Sequence, residues 1–444
     1  NCFFNGKIKG FFAKNIDAIT NKGHVGVIVK NNYYNENCGA DDTQSTAVTD
    51  AQIASGEVAH LLNGDQSVIN WYQNIDKGER DNLPVLNPEH YRVYKSGNTY
   101  TNDESKHSHL YINGFCVVCN EIEEPQLVDD YYEIGNYGNL VWFQQYVDAG
   151  NVNINARLTA NIVANENLLD SSGNVQGTPK YNWTPIGKVY SLVQNSYSGI
   201  FDGAGYSISG LYANSTNNYC GFFGKFHNGT IKNLSIVDSY FGESSCYYVG
   251  SFVGNGSGNI ENCYSNATIV GGYYCGGIVG ETYCTISNCL YNGKITAKGS
   301  SNAIASDTYN YGTITNCYYN ENCGLSSSRA TAVTDDQLSS GEVAYLLNSD
   351  QSAINWYQNV DRGEKDNAPA LNSEHYTVYK KNNGYTNILL GDVNDDGKVD
   401  RKDAVLILKN ISGMALDKFS TENADYNGDG AINSLDVIAI MKNL

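Results

Sequence analysis

Gly229-Thr230-Ile231-Lys232-Asn233-Leu234, Gly258-Asn259-Ile260-Glu261-Asn262-Cys263, Cys284-Thr285-Ile286-Ser287-Asn288-Cys289 and Gly312-Thr313-Ile314-Thr315-Asn316-Cys317 are one hexapeptide written four times. Their isoleucines lie 29, 26 and 28 residues apart, and Gly221-Phe222-Phe223-Gly224, Ser251-Phe252-Val253-Gly254 and Gly277-Ile278-Val279-Gly280 recur between them. A period of this length, short alternating β-type runs and glycine corners predict a β-solenoid, in which each rung buries its apolar face only by stacking on the next. Alternation along the strand turns the Ile and Cys side chains away from the Thr side. Cys263, Cys289 and Cys317 should then form an inward column of free thiols acting as small apolar fillers, which suits an anaerobic habitat.

A second, longer repeat encloses the first. Residues 47–82 match 332–367 at 27 of 36 positions, at a constant offset of 285, and the match runs outward from Asn31 against Asn316 to Asn102 against Asn387. Residues 1–105 therefore read as the C-terminal part of one unit whose head precedes Asn1, 106–127 as a linker hook, 128–388 as a complete unit and 391–444 as a separate module. Helices over Asn139–Ala149 and Asp335–Leu347, the latter capped by Thr334, are expected to cover the two ends of the solenoid.

Composition narrows the function classes. Forty-seven acidic against 28 basic residues give a net charge of −19, which disfavours nucleic acid as a partner. No apolar run is long enough for a membrane span. Low charge content and 12% aromatic residues disfavour disorder.

The short repeats resemble the GLUG motif repeats of bacterial surface and secreted proteins over about 216–323, with Phe or Ile in place of the motif's leucine. Such proteins include IgA-cleaving metallopeptidases, adhesins and dockerin-bearing proteins, so the resemblance implies a right-handed-type solenoid without naming an activity.

The C-terminus carries the sharpest chemistry. Asp392, Asn394, Asp396, Asp400 and Asp403 stand at positions 1, 3, 5, 9 and 12 of a loop with Gly397 at its turn and the Lys398 carbonyl at position 7. Thirty-three residues later the pattern returns as Asp425, Asn427, Asp429, Ala431 (through its carbonyl), Asn433 and Asp436. An all-oxygen cage at this spacing is that of an EF-hand-like calcium loop, here with Asp rather than Glu at position 12. The pair resembles a type I-like dockerin, the small all-α module that binds cohesins of a cellulosome scaffoldin with two calcium ions. The resemblance implies that Arg401, Lys402, Ser434 and Leu435, at loop positions 10 and 11, help read the cohesin. Neither half has the paired Ser-Thr common in clostridial dockerins.

Two further clusters are ambiguous in sequence. His107, His109, Cys116 and Cys119 could form a structural zinc site, yet the spacing is not that of a standard finger and a polar linker with two free thiols is the blander reading. Tyr248 and Tyr274, each second in a Tyr pair, could form an outward ladder for stacking on sugar rings, or tyrosines packed laterally on a β surface. No H-E-x-x-H, G-x-S-x-G or phosphate loop appears, and the rung acids Asp238, Glu243, Glu261, Glu281 and Asp307 share no repeat position. The expectation is a mainly β, secreted cellulosome component that contacts plant cell-wall polysaccharide or a surface protein. An alternative is the accessory stalk of a glycoside hydrolase or peptidase encoded upstream.

Overall fold

The computed structural model describes residues 1–8, 19, 30–40, 44–187, 189–190, 193–214, 218–306, 312–381 and 384–444; Asp307 lies outside them. The chain forms two compact units, Asn1–Glu123 and Glu124–Leu444.

In the second unit the four isoleucines of the repeat are lateral partners: Ile231 pairs with Ile260, Ile260 with Ile286, and Ile286 with Ile314, always in parallel strands. The column continues backward through Phe201 and Ala156. Ala156, Phe201, Ile231, Ile260 and Ile286 are fully buried. Each rung runs through a long strand such as Phe223–Val237, a short one such as Tyr240–Phe241 and a third such as Tyr248–Val249. Stacking these gives a large parallel sheet, a four-stranded side sheet and a two-stranded one. This is the β-solenoid that the repeat predicts.

The turn within each rung explains the asparagine of the motif. Asn233, Asn262, Asn288 and Asn316 have φ of 52°, 50°, 52° and 50°, the left-handed region that asparagine tolerates best after glycine. Their amides also bridge rungs: Asn262 donates to Asn233 at 3.2 Å and Asn316 to Asn288 at 2.8 Å. The residue after each turn points inward. Cys263, Cys289 and Cys317 remain thiols, each donating to the carbonyl two residues back at 3.2–3.3 Å. Burial pushes the Cys289 thiol well up, so it behaves as a small apolar filler rather than a nucleophile.

In chain order, the helices are α1 (Asp50–Ala54) and α2 (Glu57–Leu62), α3 (Tyr137–Asp148), α4 (Asp335–Ser339) and α5 (Glu342–Leu347). The C-terminal module adds α6 (Arg401–Ile411), α7 (Thr421–Ala424) and α8 (Ser434–Asn443). Helix α3 starts two residues before the expected position because Asn136 caps it, accepting from the Asn139 amide at 2.9 Å. Its buried Phe143 meets Tyr197 and Phe201 edge-on. The helix expected over 335–347 is instead two. Thr334 caps the first through a reciprocal box with Gln337, but Gly341 turns the chain at φ +89°, where a Cβ would lie 2.7 Å from Val360. Val333 of the last strand in the sheet, Thr331–Val333, shares one core with these helices. Leu338, Val343, Leu347 and Trp356 pack on Tyr264, Leu290 and Tyr318, three register partners on successive rungs. Each of these follows an inward Cys by one position, so α4 and α5 brace the outer face.

The first unit repeats this end-piece. Its strands Phe3–Phe4, Tyr33–Asn35 and Thr46–Val48 pair in parallel, and Thr49 caps α1 with Gln52. One buried asparagine organises each copy. Asn102 accepts from the Ile75 amide and donates to the Gln73 and Arg92 carbonyls. Asn387 does the same with Val360, Gln358 and Thr377.

Asn316 also donates to the Leu346 and Leu347 carbonyls, closing the asparagine turn on the end of α5. Asn316→Ala should therefore cost about 2–4 kcal/mol, from the left-handed turn and the lost hydrogen bonds. Asn316→Gly, which keeps the φ, should cost less. Urea unfolding checks this; equal, negligible losses for both variants would contradict it.

Candidate metal and docking sites

The C-terminal module is small, and its core is Val393, Ala404, Ile407, Ala424, Val437 and Ile440. Two loops lead into its main helices with closely similar internal hydrogen bonding. In the first, the two Asp392 oxygens accept from the Asp396 and Gly397 amides at 3.1 and 2.8 Å, and Asn394 accepts from the Asp396 amide at 2.8 Å. Asp396 accepts from the Lys398 amide at 3.1 Å, and Asp400 caps α6 through the Lys402 amide at 2.6 Å. Asp403, fully buried, accepts from the Val393 and Asp400 amides. The second loop repeats this with Asp425 on the Asp429 and Gly430 amides and Asn427 on Asp429. Asp429 accepts from the Ala431 amide, and Asn433 caps α8 through the Leu435 amide. Asp436, also fully buried, accepts from the Asn427 and Asn433 amides.

This donor set suits a hard cation. Every side chain turned into the loops offers oxygen, and a carboxylate oxygen that accepts one amide keeps a second lone pair. Burial raises the Asp392 carboxyl above its ordinary range; the Gly397 and Asp396 amides pull it partly back, while the Asp403 and Asp396 charges push it further up. A cation among these groups would relieve that cost.

The exposed face of the module was not apparent from the loop motif. Arg401, Lys402, Ser434 and Leu435 are exposed at the starts of α6 and α8. Beyond them Val405, Leu408 and Ile411 are 48, 43 and 42% exposed, and Ile438, Met441 and Leu444, each 33 residues on, are 47, 47 and 56% exposed. Apolar residues at i, i+3 and i+6 were the available signal; they form one unburied stripe on each helix.

In the first unit, His107, His109, Cys116 and Cys119 place one ligand atom each within 4.8 Å of the others, a group that could hold a metal ion. The hairpin Tyr111–Ile112 with Phe115–Cys116 turns through Asn113 and Gly114, both at positive φ, as an Asn-Gly turn should. It brings Cys116 within 3.3 Å of His107 Nε2, and Cys119 lies 3.6 Å from His109 Nδ1. The far nitrogens are held as well: His107 Nδ1 lies 2.5 Å from the Glu104 carbonyl and His109 Nε2 3.4 Å from the Glu121 carboxylate. Such outer partners select the tautomer that leaves the inner nitrogen free for a metal. Burial alone would raise the Cys116 thiol, but the Cys119 and Val118 amides and then the His107 and His109 side chains outweigh it and bring it down to about 6.

Of the two arrangements open in sequence, the tyrosines show lateral packing of ring on ring. Tyr219, Tyr248 and Tyr274 stack at 5.0 and 5.2 Å with interplanar angles of 8° and 10°, so both faces of the half-buried Tyr248 are covered by rings. The exposed pair is Tyr247 and Tyr273, stacked at 5.5 Å, and the backbone of Gly299 lies against the Tyr273 ring. Rings therefore cover both faces of Tyr248 and one face of Tyr274, which reduces the flat surface open to a sugar there. Two rung acids also have structural partners: Asp238 accepts from the Leu168 and Leu169 amides, and Glu281 continues a ladder from Lys225 through Asn255.

Residues 390–444 match the dockerin type I domain family. An 83-residue stretch, 18% of this chain, is 39% identical to a glycine-rich membrane protein of Evansella cellulosilytica, and covers 9% of that protein's length. A crystal structure described as an immunoglobulin A1 protease from Bacteroides ovatus aligns with 56% of this chain and 94% of its own, at 15% identity and a TM-score of 0.33. No helix among the described residues is long and apolar enough to cross a membrane.

The Cys116 thiol yields a pH prediction. In metal-free protein one sulfur should ionise with a midpoint near 6, so that wild type minus Cys116→Ser shows a thiolate absorbance step there. A difference spectrum that titrates only around the ordinary thiol range would contradict it.

Proposed function

We propose that this chain is a secreted, scaffold-attached protein in which GLUG-type solenoid units act as a spacer and display surface. The dockerin-type module attaches it to a cohesin of a scaffoldin through calcium-dependent binding. The observation that carries this reading is the duplicated loop and helix: two oxygen cages with matching hydrogen bonds, each holding a helix whose apolar stripe is left exposed. A cation in each loop would fix the start of α6 and α8, and the two stripes, rimmed by Arg401 and Lys402 or by Ser434 and Leu435, offer the cohesin an apolar surface. In the first unit we propose a zinc ion on His107, His109, Cys116 and Cys119, with four protein ligands and hence a structural clamp rather than a catalyst. The tyrosine stacks and the partnered rung acids favour a spacer role for the solenoid over sugar binding on Tyr248 and Tyr274.

Calcium titration of the full chain tests the docking half. The first loop has four carboxylates at ligand positions (Asp392, Asp396, Asp400, Asp403) and the second three (Asp425, Asp429, Asp436), so the second should bind more weakly and empty first on chelation. Calorimetry should show two ions in wild type and one each in Asp392→Ala and Asp425→Ala. EDTA should abolish the unfolding transition of the C-terminal module, because a module this small has too little core to offset the carboxylate repulsion. A transition that persists unchanged in EDTA would overturn the calcium reading.

The zinc clamp is checked by elemental analysis of purified full-length protein. Wild type should carry one zinc ion per chain after dialysis and Cys116→Ser essentially none. Equal zinc content in both would remove the site.

A further inference from the structure

The two cation loops share their residues at positions 1, 3, 5, 6 and 12 but differ at position 4, where both backbones are left-handed. The second loop has Gly428 there, at φ +72°, while the first has Asp395 at φ +52°. A left-handed turn favours glycine, so an aspartate at this position carries a conformational cost that calls for a compensating contact. Asp395 finds one outside its own loop. Its carboxylate lies 3.5 Å from Nη1 of Arg362, a residue of the end-piece that follows α5, and accepts from Asn423 Nδ2 at 3.1 Å.

Arg362 is well placed for this contact. Its guanidinium lies 5.2 Å from the Tyr376 ring centre and its Nε 3.5 Å from the Glu422 carboxylate of α7. Its side chain is only 20% exposed. Two carboxylates offset its charge, so it can sit beside a cation loop without opposing the cation. Asn423 carries the link inward: the same Nδ2 donates to the Asp392 carbonyl at 2.6 Å, and the Asn423 carbonyl accepts from the Gly391 amide at 2.7 Å. A cavity bordered by Tyr357, Tyr379, Asp396 and Lys418 lies beside the contact.

We infer that Arg362 is a positioning residue for the first cation loop, and that Arg362, Asp395 and Asn423 form a joint through which occupancy of this loop fixes the C-terminal module on the solenoid unit. This rests on the calcium reading of the loop. A cation held in the loop would fix the backbone of Asp395, whose carboxylate meets Arg362. By reciprocity, Arg362 stabilises the closed loop. The second loop has no such connector at Gly428.

Hydrogen–deuterium exchange of the full chain, in calcium and in EGTA, tests the joint. In calcium, Arg362→Ala should speed exchange about threefold to tenfold in both 373–381 and 391–397, the range expected for losing one partly buried ion pair, with 425–433 unchanged. Asp395→Gly, which installs the residue of the second loop and removes the backbone cost, should keep both calcium ions yet speed exchange in 373–381 to the same degree. In wild type EGTA should speed exchange in 373–381; in Arg362→Ala that added effect should vanish. Unchanged exchange in 373–381 for Asp395→Gly would overturn the joint. If EGTA speeds exchange in 392–403 but leaves 373–381 of wild type unaffected, the coupling fails while the calcium reading stands. If EGTA changes neither loop, the calcium reading fails and the coupling with it.

Discussion

Lateral pairing of Ile231, Ile260, Ile286 and Ile314 is the constraint on which the second unit depends. A single rung, one long strand and short ones beside it, has no partner for its apolar face. Only when the next rung stacks in register does each isoleucine leave water, at a gain of about 1.5–3 kcal/mol per side chain. A one-residue slip would turn the whole inward column outward. The left-handed asparagine that follows each isoleucine by two positions guards against that slip. It fixes where the strand bends, and so which residue of the next strand points inward.

The C-terminal module is organised by a different force. Its core is six small or medium apolar residues, and its two buried aspartates, Asp403 and Asp436, tie each loop back on itself through amide hydrogen bonds. Those bonds shape the cage but leave a concentration of negative charge, which an oxygen-seeking cation would neutralise. The rest of the module follows from that shape. Both main helices start at a loop residue, Asp400 or Asn433, that caps them, so any change in the loops reaches the exposed stripes directly. Arg362 and Asp395 extend the same dependence to the solenoid unit.

Much of this was legible in the sequence because it rests on spacing. The isoleucine period gives the rung register, the 285-residue offset gives the duplicated end-piece, and the 1, 3, 5, 9, 12 pattern gives the loops. What was hidden depends on geometry that spacing does not encode. Asn233 and its counterparts were visible as a repeated letter, but their left-handed φ is a property of the turn. Gly341 breaks a segment whose apolar pattern reads as one continuous helix, because the chain needs a corner against Val360 and Val378. Strand alternation leaves Tyr248 free to face solvent or to pack laterally, and only the fold shows the rings stacked on both its faces. The metal-binding potential of His107, His109, Cys116 and Cys119 turned on Glu104 and Glu121, whose roles appear only once the hairpin folds. Asp395 looked like one more loop acid until Gly428 at the same place in the second loop set it apart.

The proposed attachment to a cohesin runs through a cation-held pair of helices. Its most direct test is isothermal titration of the full chain with a panel of cohesin domains, in calcium and again after EGTA. A one-to-one complex with at least one cohesin is expected in calcium, lost in EGTA and regained when calcium is restored. Binding of equal strength with calcium removed, or no binding to any cohesin while calcium is present, would contradict it.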